Sequence, residues 1–144
     1  MAKMREWYCK VLEAHVVFEN DLLCFITFDE EHHRIAIHPS QSDRLLEIQF
    51  RLEGMHQLMQ NSYFLQSAQV AIAHGPGRRP TSRQMFLSFR GPDPTLFGFV
   101  AEGDRLPRDE DRLPRQFPRA AGSFCAWGSV SQVPEFCGRE GSAS

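Results

Sequence analysis

The clearest structural pattern in the chain lies in residues 7–39, WYCKVLEAHVVFENDLLCFITFDEEHHRIAIHP. Across its start, over residues 1–13, apolar residues recur at helical spacing between charged ones, which predicts an amphipathic helix. These apolar residues are Met4, Trp7, Tyr8, Val11 and Leu12. Two β-rich runs follow, HVVF and LLCFITF, separated by Glu19-Asn20-Asp21, where Asn and Asp tolerate the positive φ of a tight hairpin. We therefore expect two antiparallel strands after the helix.

A third run, HRIAIH at residues 33–38, follows an acidic turn at residues 29–31. Strand alternation would place His33, Ile35 and Ile37 on one face, and Arg34, Ala36 and His38 on the other. The predicted order is α-β-β-β, with the helix covering the apolar face of a small, curved, antiparallel sheet.

These residues resemble the first module of a vicinal-oxygen-chelate protein, the superfamily of glyoxalases, bleomycin-resistance proteins and extradiol dioxygenases. The carriers of the resemblance are Trp7-Tyr8 followed by Val11-Leu12 and Ala14, the strand at residues 16–18, and the run DEEHHRIA at residues 29–36. The small dioxygenase-like members are the most similar to this stretch.

The resemblance implies a βαβββ module that pairs with a second copy to form a half-open barrel around one divalent metal. In the dioxygenase branch two histidines and one carboxylate hold Fe(II) or Mn(II), and Zn(II) is the other metal that the family suggests. The substrate chelates the metal through two neighbouring oxygens, so the implied substrates are aromatic diols or α-oxo compounds. The expected activity is metal-dependent ring cleavage or lyase action.

The family's metal ligands are not found at matching positions. In the family a strand that ends in a ligand His precedes the helix, whereas this sequence starts within or just before that helix. Beyond residue 39, neither a strand with a ligand His nor an Asp-Pro-Asp-Gly-like turn leading to a ligand Glu can be aligned. Glu47 resembles a ligand carboxylate, but its run reads better as a helix with Glu47 on the solvated face. We assign no metal ligand and no catalytic residue.

The histidines are the remaining candidates for a site. His33 would share the face of Ile35 and Ile37, so we expect it to face the family's cavity as a substrate contact or proton donor, against the alternative of a partly buried structural histidine. His32 and His33 are adjacent and should face opposite sides of a strand, which prevents both from binding one metal.

The rest of the chain divides by composition into a helical segment at 40–74, a loop and β-hairpin at 75–102, and a tail at 103–144. A helix is predicted over 43–61, and residues 63–74 are ambiguous between helix and strand. Gly75-Pro76-Gly77 should end that element and open a basic loop before the hairpin. The tail contains DRLPR twice, at 104–108 and 111–115, and is predicted to be disordered.

Composition bounds the function classes. The 144 residues carry a net charge of −2, which gives no basic excess for nucleic-acid binding. No apolar run is long enough for a membrane span or a signal peptide, so we expect a cytoplasmic protein. The four cysteines lie far apart without metal spacing and are expected to be free thiols.

Two interpretations follow. The first is a divergent or truncated member of the family, in which an unpaired sheet edge left by the absent first strand pairs with a second copy. The second is a non-catalytic packing or partner-binding module. A truncated copy, a shifted reading frame or a translated intron would each explain why the family pattern stops at Pro39.

Overall fold

The first unit, residues 1–39, folds as a helix followed by a three-stranded antiparallel sheet, as predicted. It belongs to a computed structural model that describes residues 1–105 and 124–137. Its elements are α1 (Ala2–Val11), β1 (His15–Glu19), β2 (Cys24–Thr27) and β3 (Ile35–Ile37). The strand order is β1-β2-β3.

Local chemistry explains the first hairpin. The Asn20 Oδ1 atom accepts hydrogen bonds from the backbone N–H groups of Leu22 (2.9 Å) and Leu23 (3.0 Å), which holds the turn that the sequence predicts. Helix α1 covers one face of the sheet through Tyr8 and Cys9, but no residue of the helix is itself buried.

The second unit, residues 47–101, is a complete β-α-β-β-β arrangement. Its elements are β4 (Glu47–Arg51), α2 (Met55–Ser67), β5 (Ile72–Arg78), β6 (Met85–Arg90) and β7 (Leu96–Ala101). The strand order is β4-β7-β6-β5, with β4 parallel to β7 and the other pairs antiparallel. The predicted hairpin of residues 85–100 is confirmed as β6 and β7. Helix α2 packs Leu58 and Leu65 onto this sheet.

The helix predicted over 43–61 is wrong in its first part. Residues 47–51 form β4, and the helix begins only at Met55. The alternation Glu47-Ile48-Gln49-Phe50 is a strand pattern that the three-to-four-residue recurrence of leucines concealed. The strand forms because the backbone of β4 finds its hydrogen-bond partners on β7.

The prediction that Gly75-Pro76-Gly77 ends an element is wrong, because these residues lie inside β5. The pairing of β5 with β6 shifts register at this point. A Cβ atom on Gly77 would lie 2.5 Å from the Cys125 Sγ atom, so glycine is required for the close approach of the chain there.

Residues 124–137, which fall in the predicted disordered tail, differ from that prediction. Phe124 packs with Phe18 and Phe25 of the first sheet, while Phe136 packs with Ala73 and other residues of the second unit. We call residues 124–137 the C-terminal segment; it ends in a 3-10 helix, Pro134–Cys137. Most of the DRLPR repeat and the rest of the predicted tail lie outside the described residues. Within the described part, no helix could cross a membrane.

Candidate functional site

A cavity of about 640 Å³ lies along strand β3 and is lined by both units and the C-terminal segment. Every residue from 33 to 40 lines it. Because consecutive strand residues point to opposite faces, such an unbroken run places the cavity along the free edge of β3. The opposite walls are formed by Tyr8 of α1, Glu47 and Gln49 of β4, and Arg79. We call this space the β3 cavity.

His33 lines the β3 cavity. The prediction that it shares a face with Ile35 and Ile37 is wrong. Strand β3 begins only at Ile35, so strand alternation does not extend to His33. Its ring stacks on Phe25, with centroids 4.1 Å apart and planes at 15°. Phe25 belongs to the face away from α1, whereas Ile35 and Ile37 pack towards α1.

His32 and His33 also depart from the expected opposite orientations. Their Nδ1 atoms lie 3.0 Å apart, because this stretch bends instead of continuing the strand. Burial, followed by the positive charge of Arg79, holds the pKa of His33 well below its usual range. His33 is therefore neutral at pH 7.

Glu47 lies on a strand and not on the solvated face of a helix. Its carboxylate accepts hydrogen bonds from Ser88 Oγ (2.5 Å) and Gln49 Nε2 (2.8 Å). It lies over Gly98 of β7, where a side chain would collide with the Glu47 Oε1 atom. The carboxylate is thus held by neutral donors on the inner face of the second sheet.

These residues do not fit the metal centre that the family resemblance implies. Across residues 1–105 and 124–137, no group of three or more His, Cys, Asp or Glu side chains could hold a metal ion. Strand β7 follows the turn at residues 91–94, yet its sequence LFGFVA contains no acidic residue and no histidine. Glu47 therefore has no partner carboxylate or imidazole on β7, and we derive no metal-dependent step for this chain alone.

The cavity has a distinct electrostatic pattern. Burial and the charge of Arg79 lower the pKa of His38 to about 4, while Glu135 acts in the opposite direction. Burial alone would raise the pKa of Glu135, but hydrogen bonds from Arg44 and Ser40 outweigh it and the pKa is lowered. Glu135 is thus an ionised partner of Arg44, at 2.9 Å.

Sequence comparison decides the family. Residues 1–99 match the model of the Glyoxalase/Bleomycin resistance protein/Dioxygenase superfamily. The chain belongs to this superfamily. The resemblance found in residues 7–39 is thereby confirmed, and the match extends through the second unit into β7.

Individual relatives within the superfamily match parts of the chain. Biphenyl-2,3-diol 1,2-dioxygenase 2 of Rhodococcus globerulus is 74% identical over 34 residues, and dioxygenase 3 of the same organism is 62% identical over 34 residues. Each match covers 24% of this chain and 18% of the relative. The chain therefore matches less than a fifth of the length of these curated relatives.

Solved structures show the same fold over a longer range. The Mn(II)-bound glyoxalase from Novosphingobium aromaticivorans has a TM-score of 0.81 at 23% identity, over 93% of this chain and 44% of that one. The 2,3-dioxygenase LapB from Pseudomonas sp. KL28 has a TM-score of 0.68 at 19% identity, over 78% of this chain and 42% of that one. At such identities the likeness establishes the fold alone.

Three residues of the β3 cavity are not among the candidate site residues that the sequence indicates. Arg79 lies in the basic loop predicted before the hairpin, His38 ends the predicted third strand, and Glu135 lies in the predicted tail. No spacing in the sequence connects them, because the turn after β5, the end of β3 and the C-terminal segment meet only in the fold. The apolar Val133 and Phe136 beside Glu135 were the available signal that this part of the tail packs.

Proposed function

We propose that this chain binds a small molecule of the superfamily's substrate class, an aromatic diol or an α-oxo compound, in the β3 cavity. The cavity supports this because its volume of about 640 Å³ is that of a small-molecule site. Its lining combines aromatic and apolar side chains, such as Tyr8, Phe25 and Phe136, with a few polar groups. His33 is the proposed substrate contact, as a neutral imidazole that stacks on Phe25.

Ring cleavage or lyase action is a separate part of the proposal. We infer that this chemistry, with Fe(II), Mn(II) or Zn(II), requires ligands from outside the described residues. A second copy or another module of the superfamily is a source of such ligands. Without them we expect binding and no turnover.

Titration calorimetry with biphenyl-2,3-diol under anaerobic conditions tests the binding. We expect saturable binding at one site per chain, weakened several-fold in His33→Leu because the polar contact is lost. The matched control is His56→Leu, which alters an exposed histidine of α2 and should bind like the unaltered chain. Absence of binding, or equal weakening by both substitutions, would contradict the proposed site and leave the non-catalytic packing module as the better reading.

We further propose that two copies associate through the edge of β3. Among the described residues β3 pairs only with β2, whereas the last strand of the second unit, β7, pairs on both sides. An unpaired strand edge is a template for another strand. The pairing would be isologous, so the same residues would meet across a two-fold axis, and β3 of the second copy would close this side of the β3 cavity.

Native mass spectrometry tests this association, with and without Fe(II), Mn(II) or Zn(II) under anaerobic conditions. We expect a dimer that Ala36→Glu converts to monomer, because the substitution brings two like charges together at the paired edge. Gln60→Glu adds the same charge on the exposed face of α2 and should remain dimeric. A monomeric unaltered chain would refute the pairing, and a dimer with about one metal per site would support shared ligands.

We also propose a cytoplasmic location. Cys9, Cys24, Cys125 and Cys137 are all unpaired, as is usual in a reducing compartment. Fractionation of the producing cells would test this location directly.

A further inference from the structure

The feature that carries a further inference is Arg79, a buried cation in the wall of the β3 cavity. Its exposed fraction is 8%, and its Nε atom has no hydrogen-bond partner among the described residues. We propose that Arg79 binds the two neighbouring oxygens of an α-oxo carboxylate, and so does with a guanidinium what the superfamily does with a metal. This inference rests on the proposed function, since it names the ligand that the same cavity would select.

The backbone fixes where the guanidinium lies. Arg79 directly follows β5 and opens the turn into β6; its N–H donates to Gln84 O (2.9 Å), and its carbonyl accepts from Arg83 N–H (2.8 Å). The guanidinium carbon lies 4.7 Å from the centroid of the Phe86 ring. A cation over an aromatic face is held in place while its N–H edges stay available for a ligand.

Arg79 lacks the carboxylate that the other two cavity arginines have. Arg34 pairs with Asp29 at 2.8 Å, and Arg44 pairs with Glu135 at 2.9 Å. No ion pair to Arg79 occurs within residues 1–105 and 124–137, and Glu47 affects its charge only at longer range. A buried charge without a partner is costly, so this position favours a bound anion.

The imidazoles around Arg79 add no second positive charge at pH 7. The pKa values of His33, His38 and His74 are all lowered, chiefly by burial, and the charge of Arg79 contributes in each case. The Nδ1 atom of His38 is buried without a hydrogen-bond partner in the described part of the chain. Neutral imidazoles beside one fixed cation suit a ligand with one negative charge and further polar oxygens.

The geometry of guanidinium selects the class of anion. Its two terminal Nη groups form a planar fork that matches two oxygens on adjacent or shared carbons. An α-oxo carboxylate presents such a pair with a full negative charge, whereas a catechol at neutral pH presents two uncharged hydroxyls. The aromatic and apolar wall formed by Met4, Tyr8 and Phe25 would receive an apolar body attached to the oxo carbon.

Titration of the full, chelator-treated chain with phenylpyruvate, phenylacetate and biphenyl-2,3-diol tests this inference. We expect metal-free binding of phenylpyruvate, stronger than that of phenylacetate, which lacks the oxo oxygen that the neutral imidazoles beside Arg79 would contact. Arg79→Met should weaken phenylpyruvate binding by roughly 30-fold or more, the loss expected for a charge-assisted bidentate pair. Arg79→Lys keeps the charge without the fork and should bind with intermediate affinity.

Two controls separate binding from folding. Arg83→Gln removes an exposed arginine from the same turn and should bind phenylpyruvate normally. The thermal midpoint of Arg79→Met should equal or exceed that of the unaltered chain, because an unpaired buried charge is replaced by an apolar side chain of similar length.

The outcomes distinguish this inference from the proposed function. Equal phenylpyruvate affinity in the unaltered chain and Arg79→Met would overturn the role of Arg79. Binding of biphenyl-2,3-diol without binding of phenylpyruvate would overturn it too, while the proposed function would stand. If none of the three compounds binds, both fail.

Discussion

The two units of the molecule share an order of elements but differ in one strand. Each has a helix followed by three antiparallel strands, α1-β1-β2-β3 and α2-β5-β6-β7. The second unit adds β4, which precedes its helix and pairs in parallel with its last strand, β7. In the first unit the corresponding edge of β3 borders the cavity instead. Among the described residues, the candidate site therefore lies at the edge of β3, where the first unit has no counterpart of β4.

The two helices also differ in burial, and the helix of the second unit is the more buried. Helix α2 buries Leu58, Ser62 and Leu65, whereas α1 has no buried residue and keeps Trp7 57% exposed. Helix α1 is joined to β1 by the Arg5–Glu19 ion pair at 2.6 Å, an exposed contact. The second unit is therefore the more strongly packed of the two.

The largest expected effect tests this contrast in packing. Leu58→Ala should lower the free energy of unfolding by about 2–5 kcal/mol, because it leaves a cavity in a fully buried position. Trp7→Ala, in the exposed helix of the first unit, should change it by less than about 0.5 kcal/mol. Urea denaturation of both variants measures the two values. A larger loss for Trp7→Ala would reverse the comparison.

The next effect concerns the open edge, where His38 directly follows β3. Its pKa is lowered to about 4, below the value of about 6.5 in an unfolded chain. The unfolded chain thus binds the extra proton first, so the stabilisation is complete above pH 6.5 and is lost as the pH falls towards 4. The loss amounts to at most ~3 kcal/mol for such a shift.

Replacement of His38 by glutamine should therefore flatten the dependence of unfolding free energy on pH between about 4 and 6.5. The control His15→Gln alters an exposed histidine at the start of β1 and should leave the curve unchanged. Denaturant titrations at intervals across this range provide the measurement. An unchanged slope in His38→Gln would show that the imidazole is not held neutral at this edge.

The smallest expected effect concerns the contact that β4 makes with β7. Gly98→Ala should cost about 1–3 kcal/mol of unfolding free energy, because the new methyl group meets the Glu47 carboxylate across the parallel pair. The cost should fall in a Glu47→Ala background, where the colliding group is absent. Gly54→Ala has open space at its Cβ and serves as the control. Additive costs for Gly98→Ala and Glu47→Ala would contradict the contact.

The sequence predicted the first unit well and the site poorly, for physical reasons that particular residues show. The helix, the Asn20 turn and the strands of residues 15–37 depend on local periodicity and turn chemistry, which a sequence displays. Strand β4 was missed because its pairing with β7 is decided by residues almost fifty positions away. The face predicted for His33 is wrong because a bend before Ile35 interrupts the strand alternation.

The site is harder to predict from the sequence than the fold, because nothing in the sequence around Arg79 distinguishes it from an exposed loop arginine. Its neighbours in the cavity come from the end of β3, from β4 and from the C-terminal segment. The family match through residue 99 explains the two units, but it does not reach the C-terminal segment.

The position of the C-terminal segment has a consequence for synthesis of the protein. Phe18, Phe25 and Ala73 are covered in part by Phe124 and Phe136, which leave the ribosome long after them. The nascent chain can form each sheet from contacts within its own unit, yet the apolar residues that Phe124 and Phe136 cover stay exposed to water until the C-terminal segment has been made. A chain truncated after residue 105 should therefore bind chaperones more strongly than the full chain, because it lacks Phe124 and Phe136.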